Sequence, residues 1–300
     1  MANLTVSGFV LMGFPTNPEL ENLFVSLFLF LYLLAQTGNI LIITTSRVDR
    51  LNSPMYFFLK HLYFSDVGYS SVTVPRSIYN SFMQCGNISL GECIVQCYAF
   101  TLCGTAELAM LTLTSYDRYV AICPSLHYDI IMDVRTCVHG LVGVWISGVI
   151  IAVIHTSATF SIHFCGPRII HQSFCDVSQI LKLSCYNDHI REIGVTAFLS
   201  LAAFLVVIFI GFSYMHIFSS VLRMPSAESR TKAFSTCLPH LAVVILFLST
   251  GAIEYFKPQC DSPTVLDMFL TMMYTVVPPT FNPMIYSLRR HQVSSDINQR

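Results

Sequence analysis

The chain has 300 residues, of which 54% are hydrophobic and 11% charged, and its formal net charge at pH 7 is −1. Soluble domains contain roughly 45–50% apolar and about 25% charged residues, so this composition excludes an ordinary soluble domain and indicates a protein embedded in lipid. The near-neutral charge offers no strongly basic surface, and nucleic acid is therefore not expected as a partner.

Seven apolar stretches are long enough to cross a membrane, whose hydrocarbon core of about 30 Å requires roughly 20 helical residues. The short alternating segments of an outer-membrane barrel are missing. The predicted fold class is therefore an all-α membrane protein, a seven-transmembrane helix bundle forming one domain over residues 1–300. The predicted helices span residues 23–47, 57–78, 93–117, 137–160, 192–221, 233–256 and 265–288.

The distribution of Lys and Arg between these helices predicts the orientation. With the amino terminus outside, eleven of the 16 Lys and Arg residues fall on the cytoplasmic side and five outside. This predicts an extracellular amino terminus and a cytoplasmic carboxyl terminus. The first 22 residues contain no Lys or Arg, so we expect the first helix to act as an uncleaved signal anchor.

Two N-glycosylation sequons fall on the predicted outer side. Asn3 begins Asn-Leu-Thr near the amino terminus, and Asn87 begins Asn-Ile-Ser between the second and third helices. Asn3 is the better candidate, because Asn87 lies close to the membrane and to Cys93.

Four of the 11 cysteines are predicted to face the oxidising exterior, where disulfides persist. They are Cys93 at the outer end of the third helix and Cys165, Cys175 and Cys185 in the long loop after the fourth. Four cysteines allow three pairings, among which spacing cannot choose. A zinc site that includes His171 is the alternative, and it is less expected than disulfide bridges in an extracellular loop.

Asp117 and Arg118 end the third helix and continue into Tyr119-Val120-Ala121-Ile122-Cys123. Charged residues are costly inside a membrane and usually mark a functional element. The alternative is that they are the first solvated residues past the membrane, with side chains that extend their charged ends into water.

Six motifs occur in order along the chain. They are Gly38-Asn39, Pro54-Met55-Tyr56-Phe57-Phe58-Leu59, Asp117 through Cys123 with Leu126-His127-Tyr128, Ser213-Tyr214, Lys232-Ala233-Phe234-Ser235-Thr236-Cys237, and Pro278-Pro279-Thr280-Phe281-Asn282-Pro283-Met284-Ile285-Tyr286-Ser287-Leu288-Arg289. Together they resemble the motifs of olfactory receptors, a branch of the rhodopsin-like G-protein-coupled receptors, and the resemblance covers almost the whole chain.

The chain departs from the family pattern at three places. Thr114-Ser115 stands where the family usually has Met-Ala, and Ser125 interrupts a common Pro-Leu-His-Tyr. Leu248 follows Phe247 where a tyrosine is common, which removes a hydroxyl that could contact a ligand.

The resemblance implies roles in signalling for residues near the inner surface. Arg118 would pair with Asp117 at rest and contact the G protein when released, while Tyr214 and Tyr286 would act as switches. Pro283 removes a helix hydrogen bond and permits a hinge. The implied coupling and switch set is Asp117, Arg118, Tyr119, Tyr214, Lys232, Asn282, Pro283 and Tyr286. The resemblance also implies the disulfide pairs Cys93–Cys175 and Cys165–Cys185.

Asp66 and Glu107 are the two acids deepest in the predicted bundle. Carboxylates in the membrane must be neutral, solvated or paired with an ion. The resemblance implies an inner sodium site at these acids, with Asn39 and Asn282 close by. The alternative is a proton shared between the two acids. No other cofactor is expected.

The resemblance also places the ligand site in the outer half of the bundle. Its walls would be apolar with a few hydroxyls, which suits a small, largely hydrophobic molecule. Gly104 and Gly251 are expected to leave space for the ligand. Phe100 replaces the acid of an aminergic receptor, and the seventh helix lacks the lysine of an opsin. The implied lining residues are Phe100, Thr101, Gly104, Thr105, Phe198, Ala202, Leu248, Gly251, Ala252, Tyr255 and Thr275.

The expected function is that of an odorant receptor in the plasma membrane, a multi-pass protein surrounded by lipid. The implied partners are a small-molecule odorant and a heterotrimeric G protein of the stimulatory type, which raises cyclic AMP. One alternative is a receptor of the same family for a metabolite outside the olfactory epithelium. A small-solute transporter would show paired half-segments or a polar file along a helix, and neither is found in the sequence. The sequence contains no recognisable set of catalytic residues.

Overall fold

The computed structural model describes residues 8–12, 18–45, 54–83, 85–165, 167–185, 189–256 and 265–298, with the side chains at some helix ends excluded. Asn3 and the side chains of Tyr255 and Tyr286 lie outside the described residues. Seven long helices correspond to the predicted spans. They are α1 (Pro18–Thr45), α2 (Pro54–Met83), α3 (Leu90–Ile122), α5 (Val134–Phe160), α7 (His189–Leu222), α8 (Ala227–Phe256) and α9 (Val265–Asn298).

Five of these helices, α1, α3, α5, α7 and α8, are long and apolar enough to cross a membrane by themselves. The other two contain more polar residues, including Asp66 in α2 and Asn282 in α9. Both polar side chains are fully buried inside the bundle. Polar residues inside a membrane normally face the bundle interior, so this placement is compatible with seven spanning helices.

Short elements connect the long helices. A 3₁₀ turn at Ser125–His127 and the one-turn helix α4 (Tyr128–Ile131) follow α3, and helix α6 (Val177–Leu181) lies in the loop after α5. The start of α3 is fixed by a capping box, in which Ser89 Oγ accepts from the Glu92 backbone and Glu92 Oε2 accepts from the Ser89 backbone.

The outer face carries a three-stranded sheet that the sequence analysis did not predict. Strand β1 (Gly8–Leu11) lies between β2 (Asn87–Ser89), to which it is antiparallel, and β3 (Ile169–Ile170), to which it is parallel. Phe9 and Leu11 of β1 are each 2% exposed. This sheet and the loop between α5 and α7 together form the outer lid of the bundle, and the amino-terminal strand is an integral part of it.

The largest buried cluster fills the inner half of the bundle, where α3 packs against α2, α5, α7 and α8. A second cluster lies under the outer lid around Phe9, Cys93 and Ile170. A third, around Phe28 and Val276, joins α1, α2 and α9. Close packing of α1 on α9 depends on Gly38, since a Cβ there would lie 3.1 Å from Pro283 Cγ.

Candidate functional site

The inner end of α3 holds a buried charge pair. Asp117 and Arg118 are 1% and 6% exposed, and Arg118 Nε lies 3.9 Å from Asp117 Oδ2. Tyr128 of α4 donates a 2.8 Å hydrogen bond to Asp117 Oδ1. Burial, and then the negative charge of Asp117, raise the pKa of Tyr128 above its ordinary value, so its hydroxyl remains a donor at physiological pH.

A polar link in the core joins three helices near this pair. His240 of α8 is fully buried, and its Nδ1 lies 2.6 Å from the hydroxyl of Tyr214 on α7. Its Nε2 lies 3.1 Å from the carbonyl oxygen of Leu111 on α3. Because the imidazole contacts α3 and α7 from α8, an outward movement of α8 must break at least one of these contacts.

His240 is a candidate functional residue that the family motifs do not include. Cys237, His240 and Val244 are spaced three and four residues apart and are all buried. That helical spacing could have marked His240 as an inward polar residue. Tyr128 belongs to a family motif, but the motif does not indicate that its hydroxyl reaches Asp117.

The two deep acids meet at Asn282. The Asn282 amide donates to both carboxylate oxygens of Asp66, at 3.0 and 2.9 Å, and to Glu107 Oε1 at 3.3 Å. All three side chains are fully buried. Glu107 Oε2 and Asn282 Oδ1 have no hydrogen-bond partner among the described residues.

This cluster fits a hard cation. Carboxylate and amide oxygens are the ligands such cations prefer, and the unsatisfied oxygens are available to hold one. Asn39 contributes in another way, since its amide donates to the carbonyl oxygens of Ala35 and Pro279 and joins α1 to α9.

Two disulfides hold the outer lid, Cys93–Cys175 and Cys165–Cys185. These are the pairs that the family resemblance implied. Gln96 supports the first one, because its Nε2 donates to the carbonyl oxygen of Val72 and its Oε1 accepts from the Cys175 backbone. The lid is thereby joined to α2 and α3.

The loop segment before Cys175 enters the bundle. Gln172, Ser173 and Phe174 are 3%, 4% and 1% exposed. The Ser173 carbonyl oxygen accepts from Ser77 of α2, and the Gln172 amide donates to Thr271 of α9 at 3.4 Å. The lid therefore forms the roof of the outer half of the bundle.

An aromatic cluster fills the space between α2, α3 and α9 below that roof. The Phe100 ring stacks on Tyr69 at 4.6 Å, with Phe174 and Tyr274 at 5.7 and 6.1 Å. A Cβ on Gly104 would lie 3.3 Å from Tyr69 Cε2. In this structure Gly104 therefore faces the Tyr69 ring of α2.

Two more predicted lining residues point away from the interior. Phe198 is 68% exposed on the outer face of α7, and Ala252 lies on the exposed face of α8 that also carries Ile245. In this structure both residues therefore face away from the bundle interior. Gly251 faces α9, where an added Cβ would be in ordinary contact with Tyr274 at 3.6 Å.

The remaining predicted lining residues whose side chains the structure describes are partly or fully buried. Thr101 Oγ1 lies 3.5 Å from His155 Nδ1 of α5, a polar contact that the sequence analysis did not include. Thr275 is fully buried and donates to the Met272 carbonyl oxygen of its own helix. Thr105 and Ala202 are half-buried, and Leu248 packs against the inner cluster.

Other predicted residues occupy varied positions. Tyr119 packs between Tyr116 and His216, and Lys232 is exposed at the inner end of α8. Asn87 is exposed in strand β2, while its carbonyl oxygen accepts a hydrogen bond from Arg76.

Comparison with known proteins gives consistent matches over the full length. Residues 28–300 match the family described as olfactory receptor. Human olfactory receptor 14J1 is 52% identical over 100% of this chain and 94% of its own length. Human olfactory receptor 14A16 is 48% identical over 98% of this chain and 95% of its own length.

Among solved structures, the crystal structure of squid rhodopsin superposes with a TM-score of 0.70 at 19% identity. The superposition covers 93% of this chain and 81% of that chain. At this identity the likeness concerns the fold alone, and it confirms the predicted seven-helix bundle.

Proposed function

The chain belongs to the olfactory receptor family, and from that premise we propose how this odorant receptor of the plasma membrane binds its ligand and which G protein it activates. The receptor is not an enzyme. Its partner inside the cell is a heterotrimeric G protein of the stimulatory type, whose activation raises cyclic AMP.

The observation that carries the coupling proposal is the burial of Arg118 at the inner end of α3. A cation that is only 6% exposed is costly to hold in a membrane protein. Asp117 offsets part of this cost at rest, and Tyr128 holds Asp117 in place. In the active state, α8 moves away from α3 and α7, and Arg118 becomes available to the G protein.

The ligand occupies the outer half of the bundle beneath the lid. The apolar surfaces of Phe100 and Ala202 provide the walls, Leu248 lies at the floor where it packs against the inner cluster, and the Thr101–His155 contact provides the polar group. This lining suits a small hydrophobic odorant with one hydrogen-bonding group. Thr105, Gly251, Tyr255 and Thr275 complete the proposed set.

Asp66 and Glu107 hold one positive charge between them, as a sodium ion or as a shared proton. Two buried carboxylates this close to a single amide cannot both remain ionised without compensation. The oxygens of Glu107 and Asn282 that lack a hydrogen-bond partner among the described residues support the sodium form. The hydrogen-bonding contact between the Asp66 and Glu107 carboxyl groups supports the shared proton.

A cyclic-AMP reporter in cultured cells tests the coupling. Odorant-dependent signal must disappear in cells that lack stimulatory-type α subunits. Arg118→Ala should abolish the signal at an unchanged surface level. The matched control is Arg135→Ala, which removes an exposed cation on the same side of the membrane and should signal normally. A well-expressed Arg118→Ala variant with normal signalling would refute the proposed role.

A further inference from the structure

A groove with a volume of about 530 Å³ lies between the outer halves of α2 and α3. Val72 and Arg76 of α2, Ile88 of β2 and Glu92, Val95 and Ala99 of α3 line it. Val95 is 65% exposed, so the groove opens sideways on the lipid-facing surface of the bundle. It is separate from the proposed odorant site under the lid.

The groove contains one cation and one anion. Arg76 Nη1 lies 3.7 Å from Glu92 Oε1, and the two side chains are 27% and 55% exposed. An ion pair at this distance and exposure contributes little to stability. Arg76 Nη2 donates to the carbonyl oxygen of Asn87, while Arg76 Nε is buried and has no hydrogen-bond partner among the described residues. With five N–H donors, the guanidinium has capacity for a further acceptor.

The groove is apolar at its deep end and charged at its outer end. Val72 lies one turn, or ~6 Å along the helix axis, deeper than Arg76, and Ala99 lies ~10 Å deeper than Glu92. Glu92 is in the first turn of α3, while Arg76 is about two turns before the outer end of α2. The groove is therefore apolar toward the membrane interior and carries both charged groups, 3.7 Å apart, at its outer end.

A zwitterionic phospholipid has a complementary arrangement, an acyl chain followed by a headgroup that carries both a phosphate and an ammonium group. We propose that this groove binds one zwitterionic glycerophospholipid of the outer leaflet. Its phosphate accepts hydrogen bonds from Arg76, its ammonium group lies beside Glu92, and an acyl chain covers Val72, Val95 and Ala99. An arginine suits this role because its planar fork matches the phosphate oxygens.

The bound lipid also contacts the lid. Ile88 belongs to strand β2 and is 4% exposed, and β2 pairs with β1. The lipid therefore adds to the contact between α2, α3 and the sheet. This inference goes beyond odorant binding and does not depend on the G-protein partner.

Native mass spectrometry of the purified full-length receptor measures the retained lipid. Dioleoylphosphatidylcholine should bind about tenfold more tightly than dioleoylphosphatidylglycerol, which has the phosphate but no ammonium group. Glu92→Gln should remove this preference, and Arg76→Gln should weaken binding of both lipids. Arg168→Gln is the matched control, since Arg168 lies over the Phe9 and Phe164 rings of the lid and outside the groove.

A second variant tests the groove independently, in case Arg76→Gln does not fold. Val95→Trp fills the groove and leaves both charges in place, so it should reduce phosphatidylcholine retention. Val153→Trp, at a 48% exposed position on α5, should retain the lipid. Unchanged retention by Val95→Trp, or equal binding of the two lipids by the unmodified receptor, would overturn the proposal.

Discussion

The Tyr128 hydroxyl donates a 2.8 Å hydrogen bond to Asp117, which connects the short helix α4 to the buried charge pair of α3. Asp117 lies next to Arg118 in sequence and 3.9 Å from it across the ion pair. One carboxylate therefore contacts both the cation and the loop that follows α3. A change in the position of this loop would alter the restraint on Arg118.

Tyr128→Phe tests this restraint. Hydrogen bonds to charged groups contribute about 1.5–3 kcal/mol, so losing this one should favour the active state. We expect ligand-independent cyclic AMP, normalised to surface level, to rise by up to about tenfold. Tyr79→Phe, which removes a hydroxyl at a 51% exposed outer position, is the control and should leave the basal signal unchanged.

The pH dependence of the same hydrogen bond follows from the raised pKa of Tyr128. A raised pKa means that folding favours the neutral phenol. This contribution is fully present below the unfolded value of about 10 and is lost only above it. Basal signalling should therefore show no titration of Tyr128 between about pH 6 and pH 9, and a tyrosine-dependent change within that range would contradict the assignment.

Gly104→Leu tests the packing of α3 on α2. The added side chain must displace the Tyr69 ring, which would lie 3.3 Å from the new Cβ. Overpacking of a core typically costs about 1–3 kcal/mol, so surface expression should fall for the variant regardless of the odorant. Gly211→Leu is the control, because a Cβ at Gly211 meets no atom within 4 Å. Normal surface level with a weakened odorant response would instead return Gly104 to the ligand site.

The two disulfides should differ in their contribution to stability. They close loops with sequence separations of 82 and 20 residues. Loop-closure entropy predicts about 4.5 kcal/mol for Cys93–Cys175 and about 3.3 kcal/mol for Cys165–Cys185. Cys93→Ser should therefore reduce surface delivery more than Cys165→Ser does. Peptide mapping of the unmodified receptor checks the connectivity, and a Cys93–Cys165 peptide would contradict it.

Sodium should stabilise the purified receptor if the inner acids hold it. Thermal unfolding in sodium chloride, compared with choline chloride at equal ionic strength, should shift to a higher temperature, because a ligand of the folded state stabilises it. Asp66→Asn should remove the shift, whereas Glu228→Gln at the exposed inner end of α8 should preserve it. Identical unfolding in the two salts would assign the positive charge to a proton.

The amino-acid sequence determined the membrane class, the seven helices, the orientation and the cysteines on the outer side. These properties depend on hydropathy, length and charge along the chain, and each of them can be inferred from a short stretch of sequence. The positions of Asp66 and Glu107 inside the bundle also followed from the sequence, because acids in apolar helices rarely face lipid.

Only the tertiary structure decided which faces of the helices meet. Successive residues of a helix are rotated by about 100°, and lipid is as apolar as a leucine side chain. Hydrophobicity therefore cannot orient a helix that is apolar all round. For this reason the sequence did not indicate that Phe198 lies on the lipid-facing side of α7. For the same reason it did not indicate that Tyr69 packs against Gly104. The lid strands are too short to be predicted, and the pairing of Gly8–Leu11 with residues 87–89 and 169–170 required distant segments to meet.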